Sequence, residues 1–182
     1  MRLFLALALP ETIRYQLLVL ADESLPLRWQ HDEQLHLTLR YIGEVDRHGA
    51  ADLLAALGNL RVDPIELSLS GLGRFDRRRS GTLWIGAHPR EALSALAARA
   101  ERLCQQAGMS SEYRAFHPHV TLARWNGRAP ELAPLLATFA GLVTDGWTAN
   151  EVTLFESHLG KGGAHYEPVA VFGNQATPIR SS

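Results

Sequence analysis

His36-Leu37-Thr38-Leu39-Arg40 and His119-Val120-Thr121-Leu122-Ala123-Arg124 are two copies of one pattern, set 83 residues apart in a chain of 182. Each alternates apolar and polar residues, the signature of a strand with one covered and one open face. Residues i and i+2 of a strand point to the same side. His36 therefore shares a face with Thr38, and His119 with Thr121, while Leu37, Leu39, Val120 and Leu122 turn to the core. If the two halves are related by a pseudo-two-fold, both His–Thr pairs line one cleft. Two imidazoles across a cleft suit acid–base chemistry near neutral pH, and hydroxyls beside them can donate to phosphoryl oxygens without a metal.

The pattern around these strands extends the reading. Residues 3–9 form an apolar run expected as a buried strand rather than a leader, because Pro10-Glu11 and Arg14 interrupt it. Pro10 opens a helix with Ile13, Leu17 and Leu20 on one side. Asp46 is placed to cap a helix carrying Ala50, Leu53, Leu54 and Leu57, closed by Gly58. Strands are expected at 35–42, 65–70, 82–86, 119–125, 151–157 and 166–172. Arg74–Gly81 is expected to link two of them. Leu93, Leu96, Ala97, Ala100, Leu103, Cys104 and Ala107 mark the clearest helix, ending at Gly108. Residues 126–150 read as irregular, with room for a short helix. Helices alternate with strands and no flexible linker intervenes, so the expectation is an α/β or α+β fold in one domain spanning 1–182.

Composition narrows the function. Eighteen Lys+Arg against 19 Asp+Glu give a formal charge of −1, so any nucleic-acid contact rests on a local site. Seventeen of the 18 basic residues are Arg, a type suited to bidentate phosphate recognition but also to a GC-rich genome. No stretch is apolar enough for a membrane span. The single Cys104 excludes an internal disulfide, and a cytoplasmic location is expected. His117-Pro118-His119 lacks the spacing of a metal site, and Gly160-Lys161-Gly162-Gly163 fails as a phosphate loop because Phe155 and Gly162 occupy its Gly and Ser/Thr positions. Arg74, Arg77, Arg78 and Arg79 form the one local positive run. Trp84 and Phe116 are candidates for base stacking, with core packing the plainer role.

The paired H-x-T motifs resemble those of the 2H phosphoesterase superfamily. Phe116–Arg124 is similar to the second motif of its bacterial and archaeal RNA 2',3'-cyclic phosphodiesterases, once named 2'-5' RNA ligases. Arg2–Leu7 with Pro10, Leu35–Glu44, Leu83–Gly86 and Leu154–Leu159 leading to Gly163 and Tyr166 extend the likeness over most of the chain. The resemblance implies a bilobal, duplicated fold with two antiparallel-rich sheets, flanked by helices, around a central cleft. It implies that His36 is the general acid and His119 the general base, with Thr38, Thr121 and Arg124 binding phosphate. No metal and no cofactor are expected; the implied substrate is an RNA end or small nucleotide bearing a 2',3'-cyclic phosphate. Other readings are 2'-5' ligation, cleavage of another cyclic nucleotide or 2'-5' phosphodiester, and a non-catalytic RNA-end binder. Arg124 has the wrong parity to join His119 and Thr121 in a regular strand, so it needs a bulge or the strand end to reach phosphate. Arg40 has the matching parity but is expected to be solvated or salt-bridged.

Overall fold

A computed structural model describes residues 1–160 and 163–173. The chain order is β1 (Arg2–Ala8), α1 (Glu11–Leu18), β2 (Arg28–Trp29), β3 (His36–Glu44), α2 (Arg47–Leu57), β4 (Ile65–Arg77), β5 (Ser80–His88), α3 (Arg90–Gln106), β6 (His119–Asn126), α4 (Ala133–Thr138), β7 (Trp147–Ala149), β8 (Glu151–Gly160) and β9 (Gly163–Gly173). The fold is α+β, built on antiparallel strands.

Local chemistry explains the helix limits. The Pro10 carbonyl accepts from the Ile13 and Arg14 amides at 3.0 Å, starting α1. Asp46 accepts from the Gly49 amide at 2.8 Å and caps α2. After α3, Gly108 takes φ +82, a conformation open to glycine and costly for other residues. The α3 stripe Leu93, Leu96, Ala97, Ala100 and Cys104 is buried. It packs against β3 and β5, whose Leu37, Leu39, Leu83 and Ile85 are buried in the same core. Fully burying a leucine contributes about 1.5–3 kcal/mol. That face of the sheet is thereby fixed inward, and the polar face outward.

The strands run in the order β7-β4-β5-β6-β3-β1-β8-β9, with β2 added beside β6. The expected two sheets are thus one continuous path. Four strands lie on each side of the β3–β6 junction, and that junction carries a single registered pair, Leu37 with Val120. Contact there is brief, so the two sheets that the resemblance implies are joined edge to edge through that one pair.

Other boundaries shift too. Arg74–Gly81 is not a linker: β4 runs to Arg77 and β5 starts at Ser80, leaving only Arg78 and Arg79 as the turn. A register shift between Ser70 and Leu72, with Gly71 at φ +74, changes the alternation and hides this long hairpin from a period-two reading. Residues 126–150 contain both α4 and the short strand β7. Gly160 pairs with Gly163 where β8 returns into β9; Lys161 lies outside the described residues.

Candidate active site

The junction of the two halves falls in the middle of both histidine motifs. Leu37 and Val120 pair directly, and both are fully buried. Continuing that antiparallel register by one residue each way sets His36 across from Thr121, and Thr38 across from His119. All four side chains are half-buried on the face opposite the leucine and valine. The histidines occupy diagonal corners of this rectangle, roughly 7–8 Å apart at the backbone. His119 is near enough for its charge to bear on His36.

Each ring is oriented in the same way. His36 Nδ1 lies 2.8 Å from the Gln34 carbonyl, and His119 Nδ1 lies 2.6 Å from the His117 carbonyl. A carbonyl only accepts, so Nδ1–H donates in both rings and Nε2 is left for chemistry. Burial pushes His36 down to about 4; the Gln34 hydrogen bond opposes this, while Arg124 and His119 add to it. His119 is also lowered, by burial first and then by His117 and Arg124, against the hydrogen bond to the His117 carbonyl. Without an anion between them, both rings are neutral at pH 7.

A bulge resolves the parity of Arg124. In the β5–β6 ladder, Leu83 pairs with Ala123 but the next residue, Trp84, pairs with Thr121. Leu122 is the extra residue, so Leu122 and Ala123 both turn inward and Arg124 returns to the face of His119 and Thr121. Its charge acts on both histidines. The first motif bulges at the matching place. Leu5 pairs with Arg40 and Ala6 with Thr38, leaving Leu39 extra. Here the inward position is filled by Arg40, so its apparent match to the His36 face is lost. Arg40 is buried and ion-paired with Glu101, and it donates to the Tyr41 and Ser110 carbonyls.

Aromatic walls flank both histidines. Phe4 lies 4.9 Å from the His36 ring and Tyr166 meets it edge-on at 5.1 Å. Phe75 meets His119 edge-on at 5.2 Å, and Trp84 packs on His117 at 4.7 Å. Trp84 therefore belongs to the site wall, whereas Phe116 packs against the core. A cavity of about 250 Å³ opens beside His36, between Phe4, Phe155, Tyr166, Arg14 and Asp32. A smaller one of about 60 Å³ lies at Arg28 and Arg124 and is also bordered by Tyr166. Sequence reasoning gave no role to Arg28, Phe4, Phe75 or Tyr166. They come from other strands, and no spacing in the chain announces that they converge.

Two other residues singled out in the sequence are accounted for locally. Arg74 binds Asp76 at 2.8 and 2.6 Å and sits 5.5 Å from the Trp125 ring. Burial pushes the Cys104 thiol up to about 11, as befits an inert core side chain. Among the described residues, no three His, Cys, Asp or Glu side chains converge as a metal site, and no helix is long and apolar enough to cross a membrane.

Known proteins resemble this chain along most of its length. The RNA 2',3'-cyclic phosphodiesterase of Aeropyrum pernix is 33% identical over 152 residues, covering 81% of this chain and 86% of that protein. The enzyme of the same name from Escherichia coli is 31% identical over 172 residues, covering 92% and 93%. Among solved structures, E. coli LigT complexed with 3'-AMP superposes with a TM-score of 0.78 at 27% identity, covering 96% of this chain and 98% of that one. TT0787 of Thermus thermophilus gives 0.77 at 25% identity, covering 95% and 97%. Residues 14–161 match the family model described as the 2'-5' RNA ligase superfamily. With the fold and the relatives in agreement, the chain belongs to the 2'-5' RNA ligase superfamily.

Proposed function

We propose that this protein is an RNA 2',3'-cyclic phosphodiesterase, opening a terminal cyclic phosphate to a 2'-phosphate by two-histidine acid–base catalysis. The observation that carries this reading is the rectangle of His36, Thr38, His119 and Thr121 about the Leu37–Val120 pair. His119 Nε2 takes a proton from water as the water oxygen bonds to phosphorus. His36 Nε2 gives its proton to the 3'-oxygen as the P–O3' bond breaks, leaving a 3'-hydroxyl and a 2'-phosphate. Thr38 and Thr121 hydroxyls donate to the non-bridging oxygens, and Arg124 balances their charge. Water then exchanges the proton from His119 back to His36.

The proton on His36 has an identifiable source of support. Its pKa of about 4 belongs to the site without an anion. The bound phosphate brings negative charge against both rings and raises both. The assignment of acid to His36 and base to His119 follows the motif likeness, since the burial of the two rings alone favours the proton on His119. A lone buried cysteine and an RNA substrate fit a cytoplasmic enzyme.

The test is hydrolysis of a 2',3'-cyclic oligonucleotide in EDTA, with the product identified by phosphorus NMR. Full activity and a 2'-phosphate product are expected. His36→Ala and His119→Ala should each lower turnover by about 10²–10⁴-fold. Unchanged activity in both variants, or loss on chelation, rules the mechanism out. Replacing the 3'-oxygen by sulfur supplies a leaving group that needs no proton. The loss in His36→Ala should then shrink while that in His119→Ala persists; the opposite pattern would exchange the two roles.

A further inference from the structure

Arg28 and Arg124 stand directly opposite each other where β2 pairs with β6. Side chains paired this way share a face, and like charges directly opposite are destabilising. Among the described residues neither is ion-paired, whereas Arg14, Arg40, Arg74, Arg99 and Arg114 each hold a carboxylate. The small cavity between them is walled by Trp29, His31, Gln34 and Tyr166, with no carboxylate among its described walls. Arg77 adds further positive charge near Arg124. Two cations forced together beside an open, acid-free cavity form a place for an anion.

Its position identifies the anion. Arg124 follows Thr121 by one bulged step along β6, so the cavity lies just beyond the His–Thr rectangle. At an RNA end, the negative charge adjoining a terminal cyclic phosphate is the phosphodiester on the 5' side of the same nucleoside. A mononucleoside cyclic phosphate lacks it. We propose that Arg28, standing beside the Arg124 that balances the reacting phosphate, forms a second anion subsite for this upstream backbone phosphate, so that a nucleoside carrying that phosphodiester is preferred to a mononucleotide. This subsite rests on the cyclic phosphodiesterase reading above and extends it. It also supplies what a net charge of −1 cannot: a grip on the strand that acts only at contact distance.

Three substrates test the subsite: uridine 2',3'-cyclic phosphate, the same compound with a 5'-phosphate, and a uridine dinucleotide ending in the cyclic phosphate. The wild type should favour the dinucleotide over the plain mononucleotide by about tenfold or more in kcat/KM. Arg28→Gln should reduce that ratio about tenfold and lessen the salt dependence of dinucleotide KM by about one unit of log–log slope. An unchanged ratio, or an equal loss on both substrates, would overturn the subsite. If the 5'-phosphorylated mononucleotide gains as much as the dinucleotide, the subsite takes a phosphate monoester and the backbone assignment falls. No turnover of any of the three by the wild type would overturn the phosphodiesterase reading itself, and the subsite with it.

Discussion

His36 ties the proposed catalysis to stability at the level of one residue. Its folded pKa of about 4 lies below the ordinary histidine value of about 6.5, so the unfolded chain binds the proton more readily. As pH falls from about 6.5 to about 4, folding must exclude a proton that the unfolded state accepts, and stability drops. The shift corresponds to a loss on the order of 3 kcal/mol. Above pH 7 both states are neutral at this position and the contribution vanishes. His36→Gln should remove this component, so the melting temperatures of variant and wild type should converge or cross as pH is lowered from 7 to 4. A parallel pair of curves would show that His36 is not held neutral by burial. Alternation alone places His36, Thr38, His119 and Thr121 on the open faces of their strands, and their roles rest on the motif likeness. The salt bridge of Arg40 is as expected, but its side is not, since one extra residue upstream reverses the side on which it emerges.

Elements decide what alternation leaves open. The matching bulges at Leu39 and Leu122 turn the residue that follows inward, Arg40 in one strand and Ala123 in the other, so that Arg124, one step further, emerges outward. A bulge has no composition of its own here, since leucine fits a regular strand equally well. It is visible only in the neighbouring strand's register. Arg40 then ties β3 to α3 through Glu101 and to Ser110, while the Glu112 amide donates to Glu101 at 3.0 Å. The segment so anchored leads into His117 and His119. Arg40→Met should cost about 2–4 kcal/mol, since it leaves Glu101 unpaired in a partly buried setting and strips two carbonyls of a donor. Urea denaturation measures this directly, and a change within ±0.5 kcal/mol would contradict the buried network. Strand β2 escaped notice for a simpler reason: two residues are too few to show any period.

Across the whole molecule, the site exists because the halves meet at a single registered pair. One half brings His36 and Thr38 with the Phe4, Phe155 and Tyr166 wall; the other brings His119, Thr121 and Arg124. A shared acid–base pair should give a bell-shaped pH dependence. For kcat/KM, which reports free enzyme, both limbs should lie below pH 6.5, because both imidazoles are lowered when no anion is bound. For kcat the bell should move to higher pH, since bound phosphate raises both groups. Steady-state kinetics from pH 4 to 9 distinguishes these shifts; a flat profile, or identical bells for both parameters, would argue against coupled imidazoles. Charge and length set the expectation of a local site in one domain. They carried no trace of the strand order that brings Tyr166 and Arg28 to it.

The antiparallel pair at Leu37 and Val120 has a geometric corollary. Any such pair has a local two-fold axis through its centre, and rotation about that axis exchanges His36 with His119 and Thr38 with Thr121. The four motif residues are therefore nearly indifferent to direction: they would serve a phosphate presented either way round. A nucleotide end is not indifferent, since its leaving oxygen is on one side only. The sense of the reaction must be imposed by whatever breaks the exchange, namely Arg124 on one strand where the exchange sets Tyr41 on the other. A palindromic pair of motifs is made to read in one direction by its margins.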